Sequence, residues 1–222
     1  MSYEPTSIAT QSGSELASNA VLRNTYLLLS LTLLFSAATA GIAMLSNALP
    51  VNPIITLIAY FGLLFVTTRL RNSGWGLLSI FALTGFMGYT LGPILNIYIH
   101  NIPNGSQLVM TSLGATGLIF LGLSGYALAS RRDFSFLNSF LMAGMIVAFL
   151  GSLGALFFHL NGLMLATSAM FALLSSGIIL MQTSQIIHGG ETNYIMATIT
   201  LYVSLYNLFL SLLNLLGMGS RD

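Results

Sequence analysis

Seven apolar stretches of 18 to 25 residues alternate along the chain with short polar connections. A helix needs about 20 apolar residues to cross roughly 30 Å of hydrocarbon. The pattern therefore predicts membrane-spanning helices at residues 26 to 48, 51 to 68, 75 to 99, 106 to 129, 136 to 158, 163 to 187 and 194 to 217. Helix breakers separate them: Pro50 and Pro53, Asn72 to Gly74, Pro103 to Gly105, and Gly189 with Gly190. The fold class that follows is an all-α integral membrane protein, a seven-transmembrane-helix bundle. A six-span chain with a re-entrant last segment is the alternative that hydropathy leaves open.

Within lipid, apolar side chains gain little by leaving the bilayer, so small and hydrogen-bonding residues mark the faces where helices meet. The third span carries Gly85, Gly88, Gly92 and Asn96 at helical spacing, with Pro93 as a candidate hinge. The fifth carries Gly144, Ala148, Gly151 and Ala155 on one face. In the last span Thr200, Ser204, Asn207, Ser211 and Asn214 recur at steps of four, three, four and three, a polar stripe along one face. Hydrogen-bonding groups facing hydrocarbon would stay unpaired, so this stripe has to face other helices or a wet cavity. The seventh helix is thus expected at the centre of the bundle. Interhelical glue and a cavity lining both remain open for its polar side chains.

Composition agrees with this picture: 55% of the 222 residues are hydrophobic and only 5% charged, against about 25% charged in soluble domains. All six basic side chains are arginine, and a net charge of +1 leaves no basic stripe for neutralising phosphates, which excludes nucleic-acid binding. Cysteine is absent, so disulfides and thiolate chemistry are excluded. Residues 1 to 22, polar and rich in Ser, Thr, Ala and Asn, are expected to form a disordered cytoplasmic tail ahead of a seven-span membrane domain at 23 to 222, with no cleavable signal peptide. With seven spans, Arg23, Arg69, Arg71, Arg131 and Arg132 share one side and Arg221 lies opposite. Cytoplasmic loops retain positive charge. That places the N-terminus inside and the C-terminus in the periplasm.

Candidate chemistry is sparse. "GLSG" at Gly122 to Gly125 matches the short GxSG element of intramembrane serine proteases, but Ser124 has no histidine within a span to activate it. His100, His159 and His188 lack metal-ligand spacing, so neither a metal nor a cofactor is expected. His188 with Glu191 reads as a solvated loop after the sixth helix. Arg131, Arg132 and Asp133 are expected to hold their loop at anionic headgroups. The polar run Gln182, Thr183 and Ser184 lies inside the sixth span and has no role in such a scheme.

The stretches "RNTYLLLSLTLLFSA", "TGFMGYTLGPILN" and "LMQTSQIIHGGETNYIMATITLYVSLYNLFLSLLNLLG" resemble the Bax inhibitor-1 family, also called the transmembrane Bax inhibitor motif family, and its proteobacterial YccA-like branch in particular. The resemblance covers nearly the whole chain and implies a seven-helix bundle with a central last helix. For many members it implies a proton-sensitive calcium leak, governed by an acid pair in helices six and seven. Matching those positions residue by residue gives Gln182 and Ser204, which cannot titrate. A Gln182 to Ser204 contact would latch the two helices yet offer no carboxylate to calcium. For the YccA-like branch the resemblance implies an inner-membrane, non-enzymatic modulator of the membrane-anchored ATP-dependent protease FtsH, binding it as partner or slow competing substrate. An ion leak channel or transporter along the seventh helix is the alternative.

Overall fold

The computed structural model describes residues 6 to 219, with side chains described from residue 16 onward. Seven α-helices account for most of the described residues: α1 (Thr6–Leu45), α2 (Pro53–Leu70), α3 (Trp75–Asn101), α4 (Gly105–Ser130), α5 (Asn138–Phe158), α6 (Asn161–Ile187) and α7 (Tyr194–Gly219). A single 3₁₀ turn, Ser135–Leu137, leads into α5. All seven are long and apolar enough to cross a membrane. The protein is an all-α membrane bundle.

Local chemistry sets the ends. The Asn52 side chain caps α2 by accepting from the Ile54 amide at 2.9 Å, and Pro53 occupies the first turn, where its missing N–H is not needed. Asn104, Arg131 and His159 turn the chain between helices with positive φ, as does Gly189 after α6. The Asn193 side-chain oxygen accepts from the Ile195 and Met196 amides at 3.0 and 3.1 Å and so starts α7.

One boundary differs from the expectation. Helix α1 runs back to Thr6, so residues 6 to 22 are helical, and only the first five residues of the expected tail lie outside the described residues, as does Arg221 at the other end. Hydropathy marks where hydrocarbon stops, whereas a helix continues until its backbone meets a breaker. No proline follows Pro5 within this segment, and an established helix extends at little cost.

The bundle has an inner set and two outer helices. Helix α7 packs against α1, α3, α4 and α6, and along with α3 it is the most enclosed, half of its span being buried. Helix α2 leans on α3, and α5 on α6, leaving most of their surfaces to lipid. Close approach explains the strongest contact, α1 with α3. A Cβ on Gly88 would fall onto the Ser36 carbonyl and the Thr39 hydroxyl, and one on Gly92 would stand 2.6 Å from the Ala43 Cβ and 2.8 Å from the Ala40 carbonyl. Asn96 completes the face by donating to the Met44 carbonyl at 3.1 Å. Helix α3 continues through buried Pro93. On α5, Gly144 and Gly151 make room for side-chain methyls of Leu174 and Thr167 of α6, not for backbone.

Candidate functional site

The polar stripe of α7 divides into two halves with different surroundings. Thr200 and Ser204 turn their hydroxyls back into their own helix, donating to the carbonyls of Met196 and Thr200 at 3.0 and 2.8 Å. One turn beyond Ser204 the stripe opens. Asn207, Ser211 and Asn214 line a cavity of about 350 Å³ with Ser168 and Phe171 of α6 and Tyr98 of α3. Asn214 donates to the Ser168 hydroxyl at 2.7 Å, the side-chain hydrogen bond that joins α6 to α7.

Helix α6 has a matching feature that the sequence reading missed. Ser168, Ser175 and Gln182 recur every seven residues, and all three are buried. Consecutive helices joined by a short loop run antiparallel. The Asn214–Ser168 bond then sets a register in which Ser175 lies level with Asn207, and Gln182 level with Thr200. Gln182 and Ser204 are not hydrogen-bonded to each other, so the expected latch is absent among the described residues. The Gln182 amide nitrogen and the Ser175 hydroxyl are both buried without a hydrogen-bond partner there.

Two apolar cavities flank the middle of α7. One, of about 450 Å³, lies between α2 and α5, which the Phe61–Phe149 ring pair bridges at 6.0 Å, and it shares Phe171 and Asn207 with the polar cavity. The other, of about 330 Å³, lies between α1 and α4. Tyr206 forms a wall of both. Beside it, Tyr202 joins three helices: its hydroxyl donates to the Thr84 carbonyl of α3 at 3.2 Å and accepts from the Ser36 hydroxyl of α1 at 2.5 Å.

The run Gln182, Thr183 and Ser184 sits at the end of the bundle where the arginine-bearing loops gather. Successive residues of a helix point about 100° apart, so Thr183 and Ser184 face different neighbours. Thr183 reaches Tyr26 of α1 at 3.3 Å and Ser124 of α4 at 3.4 Å. The Ser124 hydroxyl is thus buried against a threonine, with no histidine hydrogen-bonded to it among the described residues. Ser184 donates to the Arg132 carbonyl at 2.9 Å and accepts from the Phe134 amide at 3.0 Å. One turn later, the His188 ring nitrogens lie 3.0 Å from the Arg131 carbonyl and 2.9 Å from the Ser184 carbonyl. These bonds fasten the α4–α5 loop to the end of α6. Within that loop Asp133 is held below the usual carboxylate range by hydrogen bonds from Ser135 and by the nearby His188. Glu191 accepts instead from the Asn193 amide at 2.8 Å. Asn193 also donates to the Arg71 carbonyl at 3.2 Å and to the Asn72 side chain at 2.8 Å, joining the α6–α7 and α2–α3 loops.

Bundle, enclosed last helix and polar seam together define a multi-span α-helical membrane protein with a hydrogen-bonded interior. The family described as Inhibitor of apoptosis-promoting Bax1 matches residues 18 to 221. The chain belongs to that family. It is 51% identical over 207 residues to a protein of Escherichia coli K12 named Modulator of FtsH protease YccA, covering 93% of this chain and 94% of that one. An uncharacterized protein of Pseudomonas aeruginosa is 54% identical over 91% of this chain and 90% of its own. An uncharacterized membrane protein of Vibrio cholerae is 45% identical over 93% of each.

Proposed function

We propose that this protein is an inner-membrane modulator of an FtsH-type membrane-anchored protease, acting as binding partner or slow competing substrate rather than as an enzyme. The observation that carries the reading is the half-identical, near full-length match to the E. coli protein that is named for that role. A relative from a second E. coli strain is named an inner membrane protein, which supports the location. The N-terminus is cytoplasmic in this proposal and the C-terminus periplasmic, following the five arginines that share one face.

The fold suits the role physically. Helix α1 has 40 residues, about 60 Å at 1.5 Å per residue, twice the hydrocarbon thickness. Its first turns therefore extend past the bilayer as a handle on the arginine-loop side. A motor pulling that handle meets the hydroxyl bonds of Tyr26 and Ser36 to α6 and α7 early. A substrate that resists extraction in this way occupies the protease and delays others. The test is affinity capture of the full chain in mild detergent, with half-lives of other membrane substrates followed in cells. Enrichment of the protease and lengthened half-lives are expected; neither would survive if the proposal were wrong. Deleting residues 2 to 20 should reduce both, and unchanged values would remove the handle from the mechanism.

A second reading, an ion leak along α7, has one observation in its favour: the 350 Å³ cavity lined by Asn207, Ser211 and Asn214. Its described lining contains no carboxylate. Purified protein in liposomes distinguishes the readings, since cation flux that changes with Gln182 or Ser204 substitutions favours the leak, and no flux with retained protease capture favours the modulator.

A further inference from the structure

Helix α2 is the shortest of the seven, and that brevity places two positive charges at a defined depth. Its 18 residues rise about 27 Å, slightly less than the hydrocarbon thickness, so Arg69 in the last turn and Arg71 just beyond it reach the plane of the lipid phosphates. Both side chains are exposed, and among the described residues neither guanidinium has a carboxylate or a hydrogen-bonding partner. Together with Phe65, Thr68 and Asn72 they line a cavity of about 320 Å³. Phe65 stands one turn below Arg69 on the same helix face and is 72% exposed, on the hydrocarbon side of the charges. Thr68 spends its hydroxyl on the Leu64 carbonyl at 2.7 Å, so the polar recognition falls to the arginines.

The loop that carries Arg71 is held in place. Asn193, itself fixed as the cap of α7, grips the Arg71 carbonyl and the Asn72 side chain, which presents the two guanidiniums from an ordered backbone. Exposed Trp75 follows four residues after Arg71, in the interfacial position that tryptophan prefers.

We propose that this recess is a seat for an anionic glycerophospholipid, its phosphate on Arg69 and Arg71 and one acyl chain along Phe65. Charge complementarity selects the headgroup: planar guanidiniums take phosphate oxygens in pairs, and no acidic side chain among the described residues competes for them. An apolar ring directly under the charges selects a lipid over a free anion, because soluble phosphate gains nothing from Phe65.

The experiment uses the full chain in nanodiscs of phosphatidylcholine containing a minor fraction of phosphatidylglycerol, with native mass spectrometry counting retained phosphatidylglycerol. Each basic side chain near an anionic surface contributes about 1 kcal/mol, about fivefold, so replacing both (Arg69→Gln with Arg71→Gln) should lower retention about 25-fold. Phe65→Ala should also lower retention, and Asn193→Ala should do so without removing any charge. Arg23→Gln is the control for general surface charge and should leave the seat filled. Equal retention in the double variant overturns the proposal, as does an equal loss in Arg23→Gln. Displacement of the lipid by millimolar inorganic phosphate, with Phe65→Ala having no effect, would overturn it too, by making the recess a site for soluble anions.

Discussion

The bond between Ser36 and Tyr202 allows a sharp test of what holds the enclosed helix. Tyr202 is 2% exposed, and its hydroxyl is shared between α1 and α3. Tyr202→Phe removes both bonds while keeping the ring. An interhelical hydrogen bond in a membrane contributes about 0.6 kcal/mol on average and up to about 1.7. The stranded Ser36 hydroxyl would add a desolvation cost of about 1 to 3 kcal/mol, except that a serine in a helix can turn back to a carbonyl one turn earlier. A loss of about 1 to 2 kcal/mol is therefore expected. Ser36→Ala removes one donor and leaves Tyr202 bonded to Thr84, for a loss of about 1 kcal/mol. Once the tyrosine hydroxyl is gone, Ser36 has no partner to lose, so the double variant should match Tyr202→Phe alone. Reversible unfolding in mixed micelles measures all four proteins. Losses that simply add, to within about 0.4 kcal/mol, would show that the two hydroxyls do not act as a pair and would refute the role of Tyr202 in tying α7 to α1.

Other predictions address the remaining contacts. Gly88→Ala should destabilise the bundle by about 3 kcal/mol or more, since the new methyl strikes α1 backbone, while Gly62→Ala, which meets nothing within 4 Å, should be neutral or slightly stabilising; thermal unfolding in detergent compares them. Ser175→Ala removes a buried hydroxyl that has no partner and should be neutral or stabilising by up to about 1 kcal/mol, whereas Ser168→Ala strands Asn214 and should cost about 1 kcal/mol in the same assay. Asp133 has a lowered native pKa, so its support of the α4–α5 loop is complete above its unfolded value near 4 and fades as pH falls through the lower native value. Protection of the Ser135 amide, its exchange measured against the intrinsic rate at each pH, should fall in that acidic window, and Asp133→Ala should abolish that fall.

The spans were legible because crossing hydrocarbon imposes a length and a composition that few other demands imitate. Gly88 and Gly92 were legible for a related reason: at helical spacing in an apolar run, small residues have little use except close approach. Thr183 and Ser184 were not. Ser184 bonds backbone atoms of a loop 50 residues away, and backbone leaves no signature in the partner's side chains. The heptad of Ser168, Ser175 and Gln182 was present in the sequence but hidden among other serines on α6, and a search at a spacing of seven opposite the α7 stripe would have found it. Asn193 could have been read as a cap immediately before an apolar helix, though not as the clasp of a distant loop. The start of α1 was not legible from hydropathy, which reports contact with hydrocarbon and is blind to a helical backbone that continues into water.

The enclosed position of α7 constrains how the molecule is made. The ribosome delivers this helix after α1 to α6, yet Ser36, Ser168 and the Thr84 carbonyl all meet it through hydrogen bonds. Until it arrives, a slot lined with hydroxyls and carbonyls stands open in the nascent assembly. A chain truncated before Tyr194 would keep that slot permanently, so docking of this 26-residue helix is the step that closes the polar interior.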